Sequence, residues 1–342
     1  MDDGNGLRGF SVKIDSVGII GGGAWGTALA QAMRHAGRDV VLWARETDVV
    51  AAINARHING TFLPNVLLDA GIRATANLKD AAACDVVLLV VPAQHVRKIA
   101  RELSPLLRPG QPVIMCAKGI EQASGKMMGD VLATELPDAM PAALSGPSFA
   151  ADVARGLPAA LTIACADEAA GQMLAERLGS PKFRLYWSSD LVGVELGGAL
   201  KNVLAIAAGI VDGQGLGASA HAALVTRGFA EMRRLGHALG ARPETLNGLS
   251  GLGDLILTCG SPQSRNMSLG RALGKGESLY EALAGKLAVT EGVYTAVAVR
   301  RLADEMGIDM PISSAVCDIV DGRASVADTI GQLMQRPLKA ED

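Results

Sequence analysis

A chain of 342 residues with 32 basic and 35 acidic side chains is nearly balanced in charge, which excludes broad electrostatic capture of nucleic acid or of a membrane surface. Three Trp, three Tyr and five Phe are too few for the stacking platforms that bind single strands. The length predicts two domains, and five widely spaced cysteines, odd in number and mostly in apolar runs, fit free thiols in a reducing, cytoplasmic setting.

Residues 1–13 read as a flexible extension, acidic and polar where a secretory signal would be basic and then apolar. A buried strand over 17–20 then runs into "GGGAWG" and a helix over 24–36, followed by a second strand over 40–43. A glycine run by itself can be an ordinary flexible turn. Between a strand and a helix, however, G-x-G-x-x-G assigns Gly21 to the tight turn, Gly23 to close approach of a pyrophosphate, and Gly26 to helix packing on the strand. The N-terminus of the helix then faces the anion.

The stretch 56–80 is polar and turn-rich around "NGTFLPN". The run "DVVLLVV" over 85–91 has the continuous apolar character of a parallel strand buried on both faces, and Pro92 closes it. A helix over 95–107, the strand "PVIMCAKG", a helix over 124–136 and the strand "PAALSGPS" keep the alternation going. Two more strand-like runs, "PAALTIACA" and "FRLYW", flank a helix over 168–178. These elements predict an α/β fold, a Rossmann-type doubly wound and mostly parallel sheet, over 14–189.

From 190 to 342 the strong periodic segments are helical, notably 190–211, 218–239 and 291–306, which predicts an all-α second domain. The segment 191–211 is long enough to span a bilayer, but Glu195, Lys201 and Asn202 near its middle favour a buried helix without stable membrane insertion. The segment "LNGLSGLGDLILTCGSPQSRN" reads as a glycine-rich, polar-studded loop, a usual place for a site.

Open α/β sheets bind ligands beyond the carboxyl ends of their strands. The residues there are Arg45 and Glu46 after the second strand, "PAQH" after the third, Lys118 after the fourth, and Gly146 and Ser148 after the fifth. An arginine suits the 2′-phosphate of NADP and a carboxylate the 2′-hydroxyl of NAD, so Arg45 favours NADP while Glu46 keeps NAD open. Lys201, in "LGGALKNVLAIAAG", is an ammonium in an apolar helix. It is either desolvated into a useful acid/base range or snorkelling to solvent from the helix edge. Asp254 is its candidate counter-charge. Ser264, Arg265 and Asn266 form either an anion site or a helix cap with an exposed arginine. His95, after the third long strand, is the rival general acid. The histidines show no metal-ligand spacing, so no metal is expected.

"GGGAWGTALA", "FLPNV", "VVPAQ", "AKGIE", "SGPSFA", "GGALKNVLAIAAGI", "LVTRGFAEM", "LSGLGDLILTC" and "QSRN" follow one another across nearly the whole chain. In this the sequence resembles the bacterial-type NAD(P)-dependent glycerol-3-phosphate dehydrogenases. The resemblance implies reduction of dihydroxyacetone phosphate to sn-glycerol 3-phosphate, with Lys201 as the proton acceptor in the reverse direction. It implies Ala24, Trp25, Arg45, Ala150, Val289 and Glu291 at the dinucleotide, and Lys118, Gly146, Ser148 and Asn202 at the substrate. Asp254, Ser264, Arg265 and Asn266 would line the phosphate end, with Lys118 and Arg265 also reaching the cofactor. Ala24 stands where the family often has serine, and Glu46 where some members have a second basic residue. A cytoplasmic homodimer built through the helical domain belongs to the same expectation. Two rival readings are a dehydrogenase of another small hydroxy acid and a non-catalytic dinucleotide sensor.

Overall fold

The computed structural model describes residues 14–284, 289–337 and 340. The expected extension over 1–13 lies outside the described residues. Ten strands are present among the latter: β1 (Ser16–Ile20), β2 (Asp39–Trp43), β3 (Ile58–Asn59), β4 (Leu63–Leu67), β5 (Ile72–Thr75), β6 (Val86–Leu89), β7 (Pro112–Met115), β8 (Met140–Ser145), β9 (Ala159–Cys165) and β10 (Phe183–Ser188). Eight form one sheet in the order β10-β9-β8-β7-β6-β1-β2-β5. The pairs are parallel except β8 with β9. The order reverses at β1, whose neighbours are β2 on one side and β6 on the other, and that switch point opens a crevice at the carboxyl ends. β6 and β7 are buried at every position, as a strand covered on both faces requires.

Several segments depart from expectation. The polar stretch 56–80 contributes β5, which extends the sheet beyond β2, and the β3–β4 hairpin. Asn59 of that hairpin is buried and donates from Nδ2 to Gly22 O (2.8 Å) and to Thr27 Oγ1 (2.7 Å), so a segment that reads as turn holds the glycine turn from behind. The helix expected over 124–136 begins at Met128, and the one expected over 95–107 is a 3₁₀ turn at Ala93–His95 followed by helix Val96–Leu103.

After β10 the described elements are helical. Helix Leu191–Gly213, capped by Asp190 Oδ1 on Gly193 N (2.8 Å), is the axis around which the others pack. It is long and apolar enough to cross a membrane, yet 94% of that apolar stretch is buried in protein. Helix Arg265–Gly274 crosses it closely. A Cβ on Gly270 would lie 2.0 Å from Ile206 O, and one on Gly209 2.1 Å from Met267 O, so glycine on both helices permits the approach that brings Asn266 to Asn202. The expected glycine-rich loop over 246–266 is instead mostly wound. A π-helical turn, Leu249–Gly253, leads into helix Asp254–Cys259, and apolar Leu255 and Cys259 are buried in the helical core. All five cysteines are free and buried.

Candidate active site

The crevice has two components. The first is the turn between β1 and helix Ala24–His35. Gly21 has φ +133°, a left-handed conformation that side chains oppose, and a Cβ on Gly26 would stand 1.9 Å from Gly21 O. Gly23 is the N-cap, makes no side-chain cap, and has open space where a Cβ would project. The first amides of the helix are therefore left for a ligand, and the backbone can approach one closely, so this turn fits a dinucleotide pyrophosphate. Ala24 and Trp25 are the first two residues of the helix. The Trp25 indole N–H is buried and has no partner. At the end of β2, Arg45 is largely exposed and pairs with Glu46 through Nη2 to Oε1 at 2.9 Å.

The second component is a charge cluster. Lys201 Nζ donates to Asp254 Oδ1 (2.5 Å) and to Thr258 Oγ1 (2.9 Å). The other carboxylate oxygen, Asp254 Oδ2, accepts from Lys118 Nζ (2.7 Å), which also donates to Gly146 O (3.0 Å). Lys201 comes from the central helix, Asp254 and Thr258 from one turn of helix Asp254–Cys259, and Lys118 and Gly146 from the ends of β7 and β8. Asp254 is fully buried and the Lys201 side chain is 9% exposed, so the lysine points inward and does not snorkel. Burial lowers the Lys201 pKa to about 8, with Asp254 opposing the shift and the Lys118 charge reinforcing it. Two ammonium groups on one carboxylate leave an excess of positive charge, which suits an anionic ligand. Thr258 was not singled out in the sequence. The available signal was its spacing of four from Asp254 within "DLILTC", which puts both on one face of a helix.

A chain of amides links this cluster to the dinucleotide side. Asn202 Nδ2 donates to Lys118 O (3.1 Å), Asn266 Nδ2 to Asn202 Oδ1 (2.9 Å), and Gly292 N to Asn266 Oδ1 (3.0 Å). The adjacent Glu291 accepts from Ala93 N through Oε1 (3.1 Å) and keeps Oε2 buried without a partner. Burial raises the Glu291 pKa, against the Ala93 N–H and the Arg265 charge. Arg265 retains an exposed surface at the start of its helix, but the surrounding protein strips part of its hydration and lowers its pKa, with Glu291 opposing. Ser264 takes up the capping role, its Oγ accepting from Met267 N (3.2 Å), and Ser148 Oγ donates to Gly146 O (3.0 Å). Ala150 opens the short helix Ala150–Ala154. His95 is exposed and lines a cavity of about 330 Å³ with Val289 and Tyr294; among the described residues no hydrogen bond ties it to the Lys201 cluster.

Residues 16–171 match the family model described as NAD-dependent glycerol-3-phosphate dehydrogenase N-terminus, and residues 190–331 its C-terminus counterpart. The chain is 58% identical over 329 residues to glycerol-3-phosphate dehydrogenase [NAD(P)+] of Maricaulis maris, covering 96% of this chain and 99% of that protein. It is 57% identical to the Caulobacter vibrioides protein of the same description, over 96% and 100% of the two. The crystal structure of glycerol-3-phosphate dehydrogenase from Coxiella burnetii superposes with a TM-score of 0.90 at 38% identity, over 94% of this chain and 99% of that one.

Proposed function

The chain belongs to the NAD-dependent glycerol-3-phosphate dehydrogenase family, and we propose that the cluster of Lys201, Asp254 and Lys118 is where it acts on its substrate. The enzyme interconverts dihydroxyacetone phosphate and sn-glycerol 3-phosphate with NADP or NAD, a reaction that supplies the backbone of glycerophospholipids. The bound nicotinamide supplies or takes up the hydride. Lys201, protonated below a pKa of about 8, gives its proton to the oxygen of the reduced carbonyl, and recovers one as base in the other direction. Asp254 holds Lys201 in reach and balances its charge, and Thr258 fixes the direction of the remaining ammonium hydrogens. Lys118 steadies the substrate's developing negative oxygen.

Gly146, Ser148 and Asn202 line the substrate, Ser264, Arg265 and Asn266 its phosphate end together with Asp254, and Gly21, Gly23, Ala24, Trp25 and Gly26 the pyrophosphate. Ala150, Val289 and Glu291 complete the dinucleotide seat together with Lys118 and Arg265. Arg45 favours NADP through the 2′-phosphate, and its pairing with Glu46 moderates that preference. In this reading 14–189 carries the cofactor, 190–342 the substrate, and the protein is a cytoplasmic homodimer joined through its helices. Sedimentation reads that oligomeric state directly. The single observation that carries the proposal is the buried lysine held by a shared carboxylate. The family match leaves no support for the sensor or the hydroxy-acid dehydrogenase. Oxidation of NADPH and of NADH, followed separately with dihydroxyacetone phosphate, tests it: turnover with both, faster with NADPH, is expected, and none with either overturns the reading.

A further inference from the structure

The glycine turn and the charge cluster meet at one contact. Lys118 Nζ lies 6.0 Å from the centroid of the Trp25 ring. Trp25 belongs to the turn, as the second residue of its helix, whereas Lys118 follows β7 and is held by Asp254 and Gly146 O. A ring face is the negative end of an aromatic quadrupole, and its attraction for an ammonium grows as water is removed. The Lys118 side chain is only 15% exposed. It also shares its one carboxylate with Lys201, so the cluster is short of negative charge on the side that Trp25 faces. The edge of the same indole carries a buried N–H with no protein partner, and a buried donor left unpaired is costly unless a ligand takes it up.

We propose that Trp25 is a positioning residue that couples the two halves of the site. Its ring face holds the Lys118 ammonium toward the phosphorylated substrate, and its N–H is donated to the dinucleotide. Seating the dinucleotide fixes the indole, the fixed indole steadies Lys118, and substrate affinity rises. The coupling is reciprocal, so bound substrate tightens the dinucleotide by the same factor. The proposal rests on the reading of Lys118 as a substrate ligand.

The test uses the full-length enzyme, with KM for dihydroxyacetone phosphate read at saturating NADPH and NADPH affinity read by nicotinamide fluorescence. The wild-type rate is measured first, so that failure of the functional reading shows there and not in the variants. Trp25→Phe keeps a ring face but loses the N–H through which the dinucleotide fixes it; it should weaken NADPH binding several-fold and raise the substrate KM only part of the way, by about two- to threefold. Trp25→Leu loses both and should also raise the substrate KM by about five- to twentyfold, with a smaller change in kcat. Equal substrate KM in the two variants overturns the proposal. Fluorinated tryptophan, incorporated into a Trp43→Phe, Trp187→Phe background, drains the ring face without changing its shape and covers the case in which Trp25→Leu does not fold. KM should climb with each added fluorine, and a flat series overturns the proposal equally.

Discussion

The glycine turn and the Lys201 cluster face one crevice but are made by opposite means. The turn is six consecutive residues whose useful groups are backbone amides, and its shape follows from the absence of Cβ atoms at Gly21 and Gly26. The cluster uses side chains up to 136 residues apart, and its chemistry comes from removing charge from water. In the proposed reading, local backbone freedom serves binding and long-range burial serves proton transfer. Substitutions in the two places should therefore separate affinity from turnover.

The largest separation is expected at Lys201. Lys201→Met keeps most of the volume and removes the proton, so kcat should fall at least about a hundredfold while NADPH binding, followed by fluorescence, survives. Near-normal turnover would return the role to His95 or to water. With the lysine intact, reduction needs the protonated form and oxidation the neutral one. Reduction should thus decline, and oxidation rise, as pH increases through about 8. Removing the Asp254 charge, as in Asp254→Asn, takes away the influence that opposes burial and should move that transition to lower pH.

Arg265 tests whether the helical side of the cluster recognises a phosphate. Arg265→Ala should lower kcat/KM for dihydroxyacetone phosphate by on the order of tenfold to a hundredfold, and hardly affect unphosphorylated dihydroxyacetone, at saturating NADPH. Equal loss with both substrates would show that Arg265 is not the phosphate ligand. On the turn side, Arg45→Ala should weaken NADPH use by about tenfold and leave NADH nearly unchanged, because only a 2′-phosphate calls for the guanidinium. Parallel loss for both cofactors would remove Arg45 from the selectivity.

The smallest effect concerns a second buried ionisable group on the central helix. Glu195 faces the start of helix Met128–Glu135, where it is near Gly129 and Asp130 and leaves Oε1 without a partner. Burial, with repulsion from Asp130, raises its pKa from 4.5 to about 8 against the Gly129 N–H. Between those values the folded protein holds a proton that the unfolded chain has released, so stability falls as pH rises through the window. Glu195→Gln removes the titration. Its Tm should match or trail the wild type near pH 5 and exceed it by a growing margin toward pH 8, with turnover unchanged. A constant difference across that range would show that Glu195 is not the titrating group.

Strands β1, β6 and β7 and helix Ala24–His35 were legible because their apolar runs and glycine spacing are local signals with a single physical reading. The β3–β4 hairpin was not, since Asn59 looks like an ordinary turn residue until the turn it supports has been brought against it. "GLSGLGDLILTC" was misread for a related reason. Glycine normally discourages a helix, but here it allows close backbone packing: a Cβ on Gly251 would stand 2.0 Å from Leu246 O. Asn266 stands out within "SRN" and Asn202 by resemblance, while their hydrogen bond to each other depends on the close crossing at Gly209 and Gly270.

By itself, then, the sequence determined the order of the main parallel strands and long helices, the glycine turn and the identity of the odd lysine, all of which depend on neighbours within a few residues. Only the tertiary structure decided that Lys201 points inward, that Asp254 lies between two ammonium groups, and that Thr258 and Trp25 complete their surroundings. A desolvated charge acquires its pKa and its partners from whatever chain segments exclude water around it, and those segments are close only after folding.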